Sequence, residues 1–292
     1  MLYDDAVHAY IRNRLAIGRS KRTVRGNRDA LRYLGATLPP GITVEAITLE
    51  HLDRWVASMA DLSSGTRRGR IVAVSVFFKW CLRNGHRVDD PTIWLERPRL
   101  ERSVPRALNR DQVRACFLAC KDVRDELVLS LLVMEGLRVS EVSKLEAADV
   151  DLRDKLLLIH GKGGHQRVVP LTEDTERLLR RYWAECPPAG ARPVIRQVDG
   201  NGTSSRRGIT PESISRIATR ICWDAGIKGS RMDGVSAHAF RHTMLSDVYE
   251  SSHNIRLVQE LAGHVSMATT QTYLRRTSPA ELRAAVAGRS FR

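Results

Sequence analysis

The stretch LLLIHGKGGHQRVVPL, residues 156–171, decides the fold class of this chain. Residues 156–160 and 166–171 are short runs rich in apolar and branched side chains, a composition that favours β-strands. The connection between the two runs contains several glycines, as expected for the turn of a β-hairpin. The stretch therefore predicts an antiparallel hairpin with Lys162 at its tip.

Helical periodicity dominates the rest of the sequence. In segment 49–59, for example, Leu52, Trp55, Val56 and Met59 recur at the three-and-four spacing of a helix packed on one side. Glycines, prolines and serines separate such segments and mark the turns. The predicted helices are residues 4–15, 23–34, 49–59, 65–84, 111–120, 123–135, 172–186, 210–225 and 237–249. The predicted fold class is mainly α with a small antiparallel β-sheet.

A change of composition divides the chain near residue 96. Residues 96–106 are charged, contain prolines and lack helical or strand periodicity, which indicates a linker, although an ordinary surface loop has the same composition. The expected organisation is a helical unit at residues 1–95, a linker at 96–108 and a second unit at 109–292. Within the second unit, residues 198–208 are predicted to form a mobile loop.

The charge of the chain indicates a polyanionic partner. Lysine and arginine number 47 against 33 aspartates and glutamates in 292 residues, a net charge of +14, and nucleic acid is the leading candidate. The longest apolar runs, residues 71–78 and 127–134, are shorter than the roughly 20 residues that a membrane span needs. The N-terminus is acidic where a signal peptide is basic. We therefore expect a cytoplasmic protein.

The five cysteines are widely spaced and include no Cys-x-x-Cys pair, so we expect reduced core residues. Cys116 and Cys120 stand one helical turn apart and could form a metal pair. No histidine or third thiol follows them at ligand spacing, however. The sequence therefore predicts no metal site.

Two places in the second unit could direct polar side chains into a cleft. Arg138 lies between Gly136, which suits a helix end, and Ser140, which suits a helix start, so this tight joint can aim a long side chain. His238 and Arg241 are three positions apart on one predicted helix face, from which both could reach the same phosphate. Taken singly, such residues also have structural explanations, as surface arginines or as a helix-end pair without a ligand.

The ordered set of polar residues resembles the tyrosine recombinases, or phage integrase family. It consists of GLRVSE at 136–141, GKG at 161–163, His238-x-x-Arg241, Gly263-His264 and Tyr273. The resemblance covers the whole second unit, and the first unit looks like the family's core-binding domain, including Trp80 and Asp90-Pro91. It implies a helical, SAM-like core-binding domain followed by an α+β tyrosine recombinase catalytic domain.

The resemblance implies a role in phosphate chemistry for each matched residue. Arg138 and Arg241 match the two arginines that bind the scissile phosphate, for which a guanidinium offers paired donors. Tyr273 matches the nucleophile, which forms a 3′-phosphotyrosine and releases a 5′-hydroxyl. Its phenol has an ordinary pKa of about 10 and needs a proton acceptor at neutral pH.

Four further residues match supporting positions of the family. His238 matches a general base or phosphate-binding histidine, and Lys162 matches the general acid that protonates the leaving 5′-oxygen. His264 matches a position from which a ring nitrogen donates to a phosphate oxygen. Glu141 matches an acidic position thought to orient the site, although an acid favoured at a helix start explains it equally well.

The implied function is site-specific DNA recombination through the covalent intermediate and a Holliday junction. The intermediate conserves the energy of the broken phosphodiester, so no cofactor is expected, and the chain has no Walker-type glycine loop. Two alternatives remain open. One is a type IB-like topoisomerase or resolvase with the same chemistry, and the other is a non-catalytic DNA-binding regulator on the same fold.

The resemblance also implies the partners. Family members act as four protomers on two duplexes, so we expect a homotetramer on double-stranded DNA core sites. Residues 277–288, which include a predicted tail helix, are the best candidate to pack on a neighbouring protomer, with docking on their own domain as the alternative.

The first unit is predicted to bind DNA through basic residues at the start of a helix. Arg67, Arg68 and Arg70 would contact backbone phosphates, although a solvated face is the alternative. The core-binding pattern begins almost at Met1, so the expected layout is a minimal two-domain enzyme without an arm-binding domain. This layout is similar in size to the Xer group, and minimal phage, plasmid and integron enzymes share it.

Overall fold

The computed structural model describes residues 1–99, 107–161, 164–187, 193–198, 204–230 and 235–263. The chain divides into two compact units, Met1–Arg102 and Ser103–Arg292. Helices dominate both units, and the small antiparallel sheets described belong to the second. The predicted fold class, mainly α with a small antiparallel sheet, is confirmed.

Four helices make up most of residues 1–99. They are α1 (Tyr3–Ala16), α2 (Lys21–Gly35), α3 (Leu49–Ala57) and α4 (Ser64–Arg83). Two of them begin at serine caps, because Ser20 Oγ accepts from the Thr23 N–H at 3.2 Å and Ser63 Oγ accepts from the Thr66 N–H at 3.3 Å. The four predicted helices are confirmed, with small shifts at their ends.

Aromatic side chains fill the core of the first unit. Trp55, Tyr10, Phe77 and Phe78 are fully buried. The rings of Tyr10 and Phe77 meet edge to face, with centroids 5.4 Å apart, which is a favourable aromatic geometry. The first unit therefore has a hydrophobic core of its own.

A buried helix lies at the centre of the second unit. In α6 (Val123–Val133) nearly every side chain is buried, as expected for a helix that is almost entirely apolar from Leu127 onward. It packs against three longer helices, α8 (Glu173–Glu185), α9 (Pro211–Asp224) and α10 (Ala237–Ser252). The other α-helices described in this unit are α5 (Arg110–Leu118), α7 (Val139–Val142) and α11 (Ile255–Ala262), and a short 3₁₀ helix spans Ala147–Asp149.

The predicted hairpin forms two strands of a three-stranded antiparallel sheet. The strands are β1 (Val150–Asp151), β2 (Leu156–His160) and β3 (Gln166–Pro170), in the order β1-β2-β3. Leu157 pairs with Val169 and both are buried, so this side of the hairpin faces the core. The hairpin prediction is confirmed, and β1 was not predicted because two residues carry no periodic signal.

The predicted mobile loop at 198–208 is wrong at both of its ends. Val198 closes β4 (Arg196–Val198), and β5 (Ser204–Gly208) pairs with it antiparallel through an irregular register. The polar sequence SSRRG shows none of the apolar alternation that indicates a strand. The pairing partner, rather than the local sequence, makes this segment extended.

Other element boundaries also differ from prediction. The helix predicted at 123–135 ends at Val133, the helix predicted at 237–249 continues to Ser252, and α11 was not predicted. The described residues 96–99, 107 and 108 of the predicted linker are neither helix nor strand, and the predicted tail helix lies outside the described residues. No helix among the described residues is both long and apolar enough to cross a membrane.

Candidate active site

The joint between α6 and α7 positions Arg138. Gly136 adopts a left-handed conformation with φ of +62°, and Arg138 then takes the cap position of α7. The backbone N–H of Arg138 donates to Oε2 of Glu141 at 2.8 Å, and its Nη1 donates to Oε1 at 2.7 Å. A glutamate three positions after a helix cap is well placed for the backbone bond. The start of α7 thereby aims the Arg138 guanidinium.

Glu141 is a buried carboxylate with more than one arginine partner. Both of its oxygens also accept from Arg167 in β3, each at 2.8 Å. Burial alone would raise the pKa of Glu141, but the hydrogen bonds and charge of Arg167, together with the bonds from Arg138, lower the pKa to about 2. Glu141 therefore remains ionised between these guanidinium groups.

Arg241 lies in α10 and is only 1% exposed. Its Nη1 donates to the carbonyl of Gly136, and its Nη2 donates to the carbonyl of Ala262 at 2.6 Å. Nη1 also lies 3.8 Å from Oε2 of Glu141. Arg241 therefore joins the end of α6 to the end of α11, and its charge is adjacent to the Glu141 carboxylate.

His238 lies in the first turn of α10, one turn before Arg241. Its backbone N–H donates to Oγ of the cap residue Ser236 at 3.3 Å. The pKa of His238 is lowered, first by the protein that desolvates part of its ring and then by the positive charges of Arg241 and Arg138. A lowered pKa keeps the imidazole neutral at physiological pH, and a neutral imidazole can accept a proton.

The structure brings four of the predicted site residues together, namely Arg138, Glu141, His238 and Arg241. The other three, Lys162, His264 and Tyr273, lie outside the described residues. The described chain ends immediately before His264, and it is described on both sides of the turn that contains Lys162. Strands β2 and β3 pair as far as His160 and Gln166, which flank the turn containing Lys162, and Gly263 directly precedes His264.

The three arginines predicted to bind DNA lie in the first turns of α4 and are half-buried. Arg68 Nη1 donates to the carbonyl of Pro98 at 3.4 Å. The Arg70 guanidinium lies 3.7 Å from the centre of the Tyr33 ring, a cation–π contact. Arg67 directly precedes Arg68 in sequence, and DNA binding by all three stays a prediction.

Sequence reasoning did not single out Arg167. Its only local signal is its position in a strand, opposite Ile159, where an arginine is ordinarily a solvated residue. Its side chain is 12% exposed because it points to Glu141, which is 26 positions earlier in the chain. A contact of that separation could be found only once the hairpin had been placed against α7.

The cluster is suited to an anionic oxygen ligand. Guanidinium groups gathered at one place stabilise negative charge, and they do so most strongly where extra charge develops in a transition state. Among the described residues, no group of three or more histidine, cysteine or acidic side chains could bind a metal ion. The positive charges of Arg138 and Arg241 act on His238, whose lowered pKa favours the neutral, proton-accepting form.

Comparison with known proteins defines the class. Residues 106–279 match the Phage integrase family. Tyrosine recombinase XerC of Mycobacterium sp. (strain JLS) is 33% identical over 285 residues, which are 92% of each chain. Tyrosine recombinase XerD of Xanthomonas campestris pv. campestris is 36% identical over 207 residues, which span 68% of this chain and 63% of that protein.

Solved structures show the same fold. A lambda integrase dimer bound to a COC′ core site superimposes with a TM-score of 0.77 at 16% identity, covering 94% of this chain and 77% of that one. XerH site-specific recombinase bound to a palindromic difH substrate superimposes with a TM-score of 0.72 at 19% identity, covering 91% and 79%.

The fold, the arginine cluster and these similarities together define a tyrosine recombinase. The chain belongs to the phage integrase family. Its activity is site-specific DNA recombination, which is favoured over the topoisomerase-like and the regulatory alternatives.

Proposed function

We propose that this recombinase breaks a DNA strand with the phenol of Tyr273. The phenolic oxygen bonds to the scissile phosphorus, and the bond from phosphorus to the 5′-oxygen breaks. The products are a 3′-phosphotyrosine and a free 5′-hydroxyl. His238 accepts the phenol proton, and Lys162 donates a proton to the leaving oxygen. Attack by the 5′-hydroxyl of a second strand then rejoins the DNA and releases Tyr273, by way of a Holliday junction.

The proposed role of the other site residues is to stabilise charge on the phosphate. Arg138 and Arg241 bind the non-bridging oxygens, on which negative charge increases as the fifth bond to phosphorus forms. His264 donates a further hydrogen bond to one of these oxygens. Glu141 orients the arginines and does not itself contact the DNA.

The observation that supports this proposal best is the gathering of Arg138 and Arg241 at one carboxylate, at 2.7 Å and 3.8 Å from its oxygens. Residues 103 positions apart in sequence thereby place two guanidinium groups at one site. The lowered pKa of His238 depends on desolvation and on the same two arginines, so a proton acceptor lies beside them. A structural explanation of either arginine alone does not account for the accompanying imidazole.

The proposed partner is double-stranded DNA, bound at core sites by four copies of the chain on two duplexes. Unit Met1–Arg102 would bind the DNA through Arg67, Arg68 and Arg70, and unit Ser103–Arg292 would contain the catalytic residues. Residues 277–288 would pack on a neighbouring copy. We place the reaction in the cytoplasm, where the DNA of a bacterial cell is found.

Covalent trapping tests the proposal and identifies the target sequence in the same experiment. The protein is incubated with fragmented DNA of its source organism, the reaction is stopped with detergent, and the fragments linked to protein are sequenced. A duplex of the recovered sequence is then nicked close to the cleavage position, so that the short 5′-hydroxyl fragment diffuses away and the adduct accumulates. We expect a detergent-stable adduct with the wild-type chain.

Two tyrosine variants assign the nucleophile. Tyr273→Phe removes the reacting oxygen and should abolish the adduct. Tyr249→Phe is the matched control, because Tyr249 is a half-buried tyrosine in α10. This variant should still form the adduct. An adduct of normal yield with Tyr273→Phe would contradict the assignment.

A further inference from the structure

Arg167 makes an unusually complete set of bonds for a strand arginine. Its Nη1 and Nη2 donate to the two oxygens of Glu141, each at 2.8 Å, and its Nε donates to the carbonyl of Leu261 at 3.0 Å. All three guanidinium nitrogens are therefore bound to protein acceptors. The side chain is 12% exposed, so these bonds form largely out of water, where charge-assisted hydrogen bonds are strongest.

One end of this arrangement reaches Arg138. The carboxylate that binds Arg167 in a bidentate manner is the same one that accepts from the backbone and from the side chain of Arg138. Because Glu141 is 5% exposed, it has little freedom to take another position. Any shift of Arg167 would therefore be transmitted through Glu141 to the Arg138 guanidinium.

The other end reaches the last turn of α11. Leu261 belongs to this helix, whose carbonyls at the C-terminal end lack helical partners and carry the negative end of the helix dipole. Gly263 follows with φ of +57°, and a Cβ placed there would lie 3.0 Å from Cδ of Arg167. The backbone just before His264 therefore lies directly on the Arg167 side chain.

We propose that Arg167 is a positioning residue. It fixes the position of the Arg138 guanidinium relative to the end of α11, and hence relative to the start of the segment that contains His264 and Tyr273. This inference rests on the proposed function of those residues. Arg167 acts through Glu141 and the Leu261 carbonyl and does not contact the phosphate. It joins the hairpin, α7 and α11, three elements that each adjoin a proposed site residue.

Lysine can replace the charge of Arg167 but not its geometry. An ammonium is a point charge without the planar fork that binds two carboxylate oxygens at once, and it has no equivalent of Nε to reach the Leu261 carbonyl. Arg167→Lys should therefore keep the net charge but hold Arg138 less firmly in position relative to the end of α11. Arg220→Lys is the matched control, because Arg220 also pairs with two carboxylates of the second unit, those of Asp125 and Asp224.

The first measurement separates cleavage from binding on the trapped duplex. We expect Arg167→Lys to slow single-turnover adduct formation by roughly 10²-fold, the usual effect of a misplaced reacting group, and to change the Kd for the duplex less than about threefold. Arg220→Lys should leave both quantities unchanged. All variants are assayed far enough below the unfolding midpoint of the least stable one that its unfolded fraction is negligible, so that folded proteins are compared.

A double-mutant cycle then asks whether Arg167 acts through Arg138. If it does, the double variant Arg138→Lys/Arg167→Lys should cleave no more than about threefold slower than Arg138→Lys alone. The free-energy effects of substitutions at coupled residues are not additive. A role confined to stability would leave the two losses multiplicative. Arg167→Ala gives a second readout, because added methylguanidinium should restore part of its cleavage and added methylammonium should not.

The outcomes distinguish this inference from the function on which it rests. Absence of any adduct from the wild-type chain would reject the proposed function. Normal cleavage by Arg167→Lys, multiplicative losses in the cycle, or a fall in DNA affinity equal to the fall in rate would each reject the positioning role while the recombinase assignment stands.

Discussion

Arg138 and Glu141 are joined twice, by the backbone N–H of Arg138 at 2.8 Å and by its Nη1 at 2.7 Å. The first bond is a helix cap and the second is an ion pair, so a local feature of α7 also directs the side chain of Arg138. The same carboxylate is bound by Arg167 from β3. A short helix start thus connects secondary structure to the chemistry of the site.

Replacing Glu141 with glutamine should destabilise the second unit. The amide can still accept the Arg138 N–H, but the buried Arg167 charge loses its counterion, and breaking a buried pair costs about 3–5 kcal/mol. Arg138 is 35% exposed, so solvent screening reduces its share of this loss. Urea unfolding of Glu141→Gln at neutral pH measures the change.

Glu173→Gln is the control for that variant. Glu173 is 83% exposed and pairs with Lys155 at 3.3 Å, so its loss should cost at most about 1 kcal/mol. Equal losses for the two variants would show that the Glu141 pairs contribute no more than a surface pair.

Glu135 should make the stability of the second unit depend on pH. This carboxyl is 1% exposed, and its oxygens accept from the Thr172 N–H and hydroxyl at 3.1 and 2.8 Å and from the Thr175 hydroxyl at 2.9 Å. Burial raises its pKa to about 7, although these bonds act in the opposite direction. The folded chain therefore binds the Glu135 proton more tightly than the unfolded chain does.

The sign of the effect follows from linkage. The contribution of Glu135 is complete below its unfolded pKa, near 4.5, and is lost as the pH rises through about 7. Glu135→Gln carries no charge, so its stability relative to wild type should increase between pH 5 and pH 8, by at most about 3 kcal/mol at roughly 1.4 kcal/mol for each pH unit. Urea titrations at both pH values measure this, and a constant difference would contradict it.

Segments with strong local periodicity were predictable from the sequence, and pairings between distant segments were not. The spacing of apolar residues and the turn residues indicate the helices of the first unit and the β2–β3 hairpin, so their ends were predicted to within a few residues. Strand β5 is polar and becomes a strand only because β4 lies beside it. Its extended structure depends on a partner rather than on local preference.

The same division applies to the candidate site. Arg138, Glu141, His238 and Arg241 were singled out from short motifs, and the structure brings them together. Arg167 was missed because its importance depends on Glu141 and on the Leu261 carbonyl, which lies 94 positions later in the chain. The carbonyl partners of Arg241 could not be predicted either, because every residue has a backbone carbonyl and its residue type does not indicate which one accepts a side-chain hydrogen bond.

Gly136→Ala should be more destabilising than glycine substitution at a matched position. Both Gly136 and Gly226 have positive φ, at +62° and +67°, so alanine at either is strained by about 1–2 kcal/mol. At Gly136 the new Cβ would also lie 2.8 Å from Sδ of Met244, whereas no described atom lies within 4 Å of one at Gly226. Overpacking adds about 1–3 kcal/mol at Gly136.

Removing the obstructing side chain separates the two contributions at Gly136. In a Met244→Ala background the contact is absent, so Gly136→Ala should cost about as much as Gly226→Ala does in the wild-type chain. Thermal or urea unfolding of these variants gives the comparison. A loss at Gly136 that is unchanged by Met244→Ala would show that the backbone conformation alone determines the cost.

The salt dependence of DNA binding tests the predicted contacts of the first unit. Each arginine that contacts a phosphate steepens the plot of log affinity against log salt by about 0.9, because bound counterions are released. Replacing Arg67, Arg68 and Arg70 together with alanine should flatten the slope by that amount for each contact, measured by fluorescence anisotropy on the trapped duplex. Arg54→Ala is the control, since this exposed arginine pairs with Glu50 at 3.1 Å in α3. An unchanged slope in the triple variant would place its arginines away from the phosphates.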